Sequence, residues 1–367
     1  MNIHKLQIEG FKSIGKIELI APNPFSVFVG PNAAGKSNIF EALEFFELCD
    51  KTDVLDVVKL FGNFNDMIHY SNQERSLQLA IIIALDKINP TIYLHAHNIN
   101  NIFNLTDASS IHWGKIYPIE DTNNRYHSYI ISDDNLEVHN SIDNNYERNI
   151  PHYLKEIEYQ ELTNFSRIRI NEPDSKVRRR NQDDSRLNSD ASNLEKVLKR
   201  ILQKEQTREE ISEILQLLIP GFDHVEIRTE ELSGSDHLLI YETSLNKPMN
   251  KRLISDGTYN ILALIAAIYQ SDTPQFLCIE EPENGLNPKV VKELVNLLRQ
   301  KCKEKGHYIW LNTHSQTLVA ELTTDEIILV DKVDGNTITK QVKGMDLHGL
   351  RMDEALMTNA LGGGIPW

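Results

Sequence analysis

The chain has 367 residues, 40% of them hydrophobic and 25% charged, a globular balance that excludes wholesale disorder. Lys and Arg total 38 against 53 Asp and Glu, a formal net charge of −15, so the surface repels a phosphate backbone on average and any nucleic-acid contact has to be a local basic patch. Cys49, Cys278 and Cys302 are odd in number and far apart, which excludes a disulfide framework and a Cys-x-x-Cys metal site.

The opening MNIHKLQIEGF alternates Ile3, Leu6 and Ile8 with polar residues, and KIELI and FSVFV follow, all reading as strands. It lacks the apolar centre of a signal peptide. No apolar run approaches the roughly 18 residues that span a bilayer, so a cytoplasmic location with no membrane partner is expected. After GPNAAGKS the pattern turns helical, with Ile39, Phe40, Leu43 and Phe46 on one face. SLQLAIIIAL and TIYLHAH return to strand. The Asn-rich stretch from Asn98 to Asn149 reads as an insertion of short strands and loops. A basic, polar segment from Arg167 to Arg186 follows. Beyond it lies a helix over SDASNLEKVLKRIL, capped by Ser192 or Asp190, with Leu194, Val197, Leu198 and Ile201 on its apolar face. A second helix, EEISEILQLLI, stops at Pro220-Gly221. Neither is long enough for a coiled-coil arm.

The last third alternates again. ISDGTYNILALIAAIYQ reads as a capped helix, QFLCIEE as a buried strand, PKVVKELVNLLRQKCKEK as a helix and YIWLNTH as a strand, with EIILV and TITKQV closing the fold. Buried strands alternating with helices predict an α/β fold with a mainly parallel sheet.

Residues 30–37, GPNAAGKS, fit the phosphate-loop pattern G-x4-G-K-[ST], between an apolar strand and a helix as that motif requires. Glycines let backbone N–H groups turn onto a phosphate at a helix N-terminus. Lys36 would reach the β- and γ-phosphates of ATP, and the Ser37 hydroxyl would ligate Mg²⁺. Glu280 and Glu281 end a buried strand. Alternate side chains point to opposite faces, so one carboxylate can hold the metal, directly or through water, while the other activates a water. His314 ends the next strand in Thr313-His314-Ser315, where a γ-phosphate sensor would sit. Ser255 in ISDGT is a good N-cap, and serine with glycine at a helix N-terminus is also an anion site.

With these four elements together, the sequence resembles the ABC ATPase superfamily, and more narrowly the RecF/SMC/Rad50-type heads and the AAA_21 group of bacterial ATPases. The resemblance runs from IEGFKSIGKIEL through GPNAAGKSN, LISDGTYNILALIA, IEEPENGLNP and NTHSQTL to the terminal LGGGIPW. It implies a RecF-like head with a mainly parallel sheet, an antiparallel β insertion, a small helical lobe and no long coiled coil. The whole of 1–367 would be one head, in parts: 1–90 with the phosphate loop, 91–165 the insertion, 166–245 the basic segment and helical lobe, 246–330 the signature, acidic and histidine half, and 331–367 the closing strands and tail.

The resemblance assigns Gly30, Asn32, Gly35, Lys36, Ser37 and Asn38 to nucleotide, Ser37 and Glu280 to Mg²⁺, and Glu281 and His314 to catalysis of ATP hydrolysis. Ser255 and Gly257 belong to a signature that completes the site of an opposite subunit, so an ATP-dependent, head-to-tail homodimer is implied. The D-loop falls at 283–286, and Lys12 and Ser13 are expected near the nucleotide. Two departures stand out: Glu280 occupies the usual Asp position, making indirect metal contact an option, and Asp256 replaces the first signature glycine. Gln73 and Gln160 are both open as the Q-loop residue.

The Lys36–Ser255 spacing is far too short for the arms of SMC or Rad50, and too few residues follow His314 for the TOPRIM half of OLD-type proteins. Stand-alone heads of this group resemble ATPase subunits of anti-phage systems such as Septu (PtuA) and PARIS. The expected role is therefore sensor and regulator of a separately encoded effector, such as an HNH or TOPRIM-type nuclease. The alternatives are a RecF-like DNA-repair clamp, supported by Arg178, Arg179 and Arg180, and a scaffold that holds ATP without turnover. Those arginines also read as a solvated charge run, His95 and His97 as structural, and the GGGIPW tail as a docking aromatic or a self-folded end.

Overall fold

The computed structural model describes residues 2–51, 54–62, 64–70, 76–84, 91–97, 110–116, 119–120, 126–132, 135–139, 164–170, 184–358 and 360–361. In chain order the first elements are β1 (Asn2–Phe11), β2 (Ile14–Ile20), β3 (Phe25–Val29), α1 (Lys36–Lys51), α2 (Val54–Leu60), α3 (Phe64–Met67), β4 (Ser76–Ala84), β5 (Thr91–His97), β6 (Ser110–Ile116), β7 (Ile119–Glu120), β8 (Tyr126–Ser132) and β9 (Asn135–His139). The rest are β10 (Phe165–Ile168), α4 (Leu194–Ile201), α5 (Glu205–Leu218), β11 (Phe222–Thr229), β12 (Asp236–Glu242), β13 (Met249–Asn250), α6 (Asp256–Tyr269), β14 (Phe276–Glu280), α7 (Pro288–Lys305), β15 (Tyr308–Thr313), α8 (Gln316–Val319), β16 (Ile327–Val333), β17 (Asn336–Gln341) and α9 (Met352–Met357). They fall into two compact units, one drawn from 1–163, 324–346 and 356–367, the other from 164–323 and 347–355.

In the first unit, β2-β1-β4-β5-β6 form an antiparallel sheet. Period-two patterning sets its register: Leu6 faces Leu19 and Ile8 faces Ile17, and all four are buried. The helical face read from the sequence is the face that packs, with Ile39, Phe40, Leu43 and Phe46 of α1 buried. Phe11, Phe45 and Phe61 meet edge-on or tilted at centroid distances of 5.2–6.5 Å. β3, wholly buried, runs parallel to β16, which turns back antiparallel into β17. Strands β6 to β9 fall within the Asn-rich stretch 98–149, and β6 joins the sheet of β1.

The second unit holds a parallel β10-β14-β15 layer. Phe276 of β14 packs its ring against Phe165, Tyr308 and Trp310. The β14–α7–β15 crossover is punctuated as its sequence dictates: Asn287 caps α7 by accepting from Lys289 N–H at 3.0 Å, Pro288 opens it, and Gly306 ends it at φ 68°. α6 is apolar all round and almost entirely buried. A β11-β12-β13 sheet and helices α4 and α5 complete the unit. Among the described residues the longest helix has 18 residues, and none is long and apolar enough to cross a membrane. Cys278 and Cys302 are both buried.

Two expectations are corrected. The start of the segment read as basic and polar is a strand, β10, with Arg167 buried inside it. The cap of α4 is Asn193, not Ser192 or Asp190. Asp190 instead accepts from Ser192 N–H in a local turn, and the Asn193 amide bridges Asn188 N–H and the Arg186 carbonyl. Arg178 to Arg180, Gln73, Gln160 and the GGGIPW tail lie outside the described residues; for His95 and His97 only the backbone, in β5, is described.

Candidate functional site

In the first unit the phosphate loop leaves β3 and enters α1 at Lys36. Gly30 lies against the Val330 carbonyl of β16 so closely that any side chain would collide with it. Gly35 has φ 103°, open to glycine and strained for other residues, and a Cβ there would run into Thr337 Oγ1. The Lys36 ammonium, buried, donates to the Gly30 carbonyl at 2.6 Å and to the Pro31 carbonyl at 3.0 Å. It therefore curls over the loop on which the motif expects phosphate. Asn32 is exposed at the crest of the loop and Ser37 is the second residue of α1. Asn38 turns beneath it, its Nδ2 donating to Ser13 Oγ at 2.7 Å. Lys12, at φ 48°, pairs with the buried Glu41.

In the second unit the carboxyl ends of β14 and β15 carry the acidic and histidine residues, and Glu280 lies in register with Asn312. The strand alternation breaks after Glu280, because Glu281 adopts φ 50°. Its backbone N–H donates to Asn312, 3.0 Å from the main-chain oxygen and 3.1 Å from Oδ1. This split sends the two neighbouring carboxylates to different partners. Glu280, buried, receives Arg167: Nε donates to Oε1 at 2.6 Å, Nη2 lies 2.6 Å from the same oxygen, and Arg169 Nε is 3.8 Å from Oε2. Glu281 reaches His314, whose Nδ1 is 2.8 Å from Oε1 and 2.7 Å from Oε2.

Glu283 completes the group. Thr313 Oγ1 donates to one of its oxygens while the other is buried without a hydrogen-bond partner. Burial pushes this carboxyl up to about 7, and the Glu281 charge adds to the effect. One ligand atom each from Glu281, Glu283 and His314 lies within 4.8 Å of the others. Such a group can hold and pass a proton near neutrality.

The start of α6 abuts the same loop. Ser255, exposed, is the N-cap, accepting from Thr258 N–H at 3.1 Å. Gly257 is buried where a Cβ would stand 2.5 Å from the Gly285 oxygen, and Asn260 Nδ2 donates to the Asn284 oxygen at 2.8 Å. Each predicted site residue is thus placed within its own unit: Gly30 to Asn38 around the loop, and Ser255, Gly257, Glu280, Glu281 and His314 around the ends of β14 and β15. Arg167 and Asn312 were not singled out from the sequence, and Glu283 was named only as the start of the D-loop, not as a partner of Glu281 and His314. Glu283, two residues past the acidic pair, and Asn312, two before His314, were within reach of a motif reading; Arg167 carried no local signal.

A family profile described as "AAA domain, putative AbiEii toxin, Type IV TA system" matches residues 25–320, most of the chain. The chain belongs to the AAA_21 family. It is an ABC-type ATPase domain of the RecF, SMC and Rad50 group. This AAA_21 chain is 38% identical over 77 residues to the chromosome partition protein Smc of Methanocaldococcus jannaschii, 21% of the chain and 6% of that protein. It is 30% identical over 92 residues to Smc of Methanococcus voltae, 25% of the chain and 7% of that protein. The chain thus matches only a small part of the length of these relatives. Two solved structures share its fold: an Smc head bound to the C-winged helix domain of ScpA (TM-score 0.52, 17% identity, 93% of this chain and 97% of that one), and an Smc head with an extended coiled coil bound to the C-terminal domain of ScpA from Pyrococcus furiosus (0.53, 15%, 93% and 96%). The expected fold, an ABC-ATPase head without a long coiled coil among the described residues, holds.

Proposed function

We propose that the chain binds ATP on the loop 30–37 and hydrolyses it, with Glu281 as the base that activates water and His314 as the sensor of the γ-phosphate. The observation that carries this reading is the Glu281–His314 pair at the carboxyl ends of adjacent parallel strands. With Nδ1 engaged by the carboxylate, Nε2 of His314 is the nitrogen left for a phosphate oxygen, to which it donates when the ring carries both protons. Gly30, Asn32, Gly35, Lys36, Ser37 and Asn38 shape the phosphate cradle. A nucleotide-borne Mg²⁺ takes oxygen ligands and keeps several waters, and it would supply charge neutralisation on the phosphates. Ser37 fits as its hydroxyl ligand. Glu280, with Oε1 given to Arg167 and Oε2 facing Arg169, fits contact through a water rather than a direct bond.

The exposed Ser255 at the start of α6 suits closure of the site of a second copy, giving an ATP-dependent homodimer in which Gly257 allows the tight seat against Gly285. The proposed biological role is regulation of a separate effector nuclease in anti-phage defence, supported by the strongly acidic composition and the AAA_21 membership. To test it, the Glu281→Gln form is purified from its native operon with ATP present. A nuclease recovered at fixed stoichiometry supports this role. Nucleic acid alone, with no protein partner, contradicts it and favours a repair clamp.

A further inference from the structure

Beneath the phosphate loop, three separate stretches of the first unit meet in one chain of hydrogen bonds. Thr337, the second residue of β17, is completely buried. Its backbone N–H donates to the Ser13 carbonyl at 2.7 Å, which fixes it under the turn between β1 and β2. Its Oγ1 lies 2.6 Å from Ser13 Oγ and 2.8 Å from the carbonyl oxygen of Ala34, inside the phosphate loop. Ser13 Oγ in turn accepts from Asn38 Nδ2 at 2.7 Å.

The proton inventory gives this chain a direction. A carbonyl oxygen can only accept and each hydroxyl carries one proton. Thr337 therefore donates to Ala34, and the hydroxyl–hydroxyl contact is filled by the proton of Ser13. The Asn38 amide donates into the remaining lone pair of Ser13. Both hydroxyl protons along the path are spent, and the path ends on the peptide group that joins Ala34 to Gly35.

We infer that Thr337 is a positioning residue for nucleotide phosphate, resting on the reading that this loop binds ATP. In a planar trans peptide the C=O and N–H point in opposite directions. Pinning the Ala34 oxygen down onto Thr337 turns the Gly35 N–H away from Thr337 and β17. That restraint is needed because of the glycine. The close approach of Thr337 demands glycine at 35, and at φ 103° a glycine leaves the preceding peptide free to rotate. The threonine hydroxyl replaces the steric lock that a side chain would otherwise supply. A pre-aimed N–H serves a phosphate better than one that must reorganise on binding.

The test compares Thr337→Val, which keeps the shape and loses the hydroxyl, with Thr337→Ser, which keeps the hydroxyl and loses a methyl. ATP and ADP affinities are measured by calorimetry on the full chain, and KM and kcat by phosphate release. The Val variant should bind both nucleotides roughly tenfold more weakly, the scale of one net hydrogen bond, with KM raised and kcat little changed. The Ser variant should stay within about twofold of the parent. ATP affinity unchanged in the Val variant, or lost equally in the Ser variant, overturns the inference. If the Val variant does not fold, the Ser variant decides alone: near-parental affinity supports the hydroxyl, and a tenfold loss refutes it. Failure of the parent chain itself to bind ATP would instead refute the nucleotide reading.

Discussion

Replacing Arg167 by methionine removes the positive half of a pair that is almost wholly sealed from solvent. The two side chains are 1% and 3% exposed, and both Nε and Nη2 lie 2.6 Å from a single oxygen of Glu280. Removing one partner of such a pair costs about 3–5 kcal/mol, because the remaining charge stays buried. Arg169, 3.8 Å from the other oxygen, offsets part of that loss, so the lower end of the range is expected. For a unit of this size each kcal/mol moves Tm by about 2–4 °C, which places the variant roughly 6–12 °C below the parent. Scanning calorimetry and urea titration supply the two readings. The double variant Arg167→Met with Glu280→Leu removes both charges and should recover more than half of the lost stability, since an apolar pair of similar volume is tolerated where a lone charge is not. A single variant within about 1 kcal/mol of the parent, or a double variant no more stable than the single one, would refute the reasoning.

Gly257→Ala should lower stability by about 1–3 kcal/mol in thermal unfolding, because the new methyl meets the fixed Gly285 oxygen 2.5 Å away; ATP affinity at the phosphate loop should hold while turnover falls. His307 is fully buried, and burial pushes its imidazole down to about 4. The unfolded chain takes up that proton near pH 6.5, so the stability His307 contributes is complete above 6.5. It is lost as pH falls toward 4, by at most about 3 kcal/mol. Unfolding midpoints across that window should fall less steeply for His307→Leu than for the parent, and parallel slopes would contradict this.

Much of the candidate site is contiguous in sequence and legible there. The loop GPNAAGKS, the acidic end of β14 and His314 after β15 each announce themselves within a few residues. The helix from Pro288 to Lys305 shows its cap, its opening proline and its closing glycine in order. What escaped is decided by partners distant in the chain. Arg167 sits in a four-residue strand followed by charged sequence, and only pairing with β14 turns it inward onto Glu280. Thr337 looks like any residue of an alternating closing strand, and its role exists only because Gly35 and Ser13 fold onto it. The cap of α4 moved to Asn193 because local turn bonds claimed Asp190. In each case a polar side chain was ambiguous until tertiary contacts chose its partner.

The central claim is ATP hydrolysis through Glu281, and steady-state phosphate release by the parent chain beside Glu281→Gln, with ATP affinity measured for both, tests it most directly. Glu281→Gln should retain ATP binding and lose turnover by about 10²–10⁴-fold. Equal turnover in the two proteins would remove Glu281 from the chemistry, and no turnover in the parent at saturating ATP and Mg²⁺ would contradict the account.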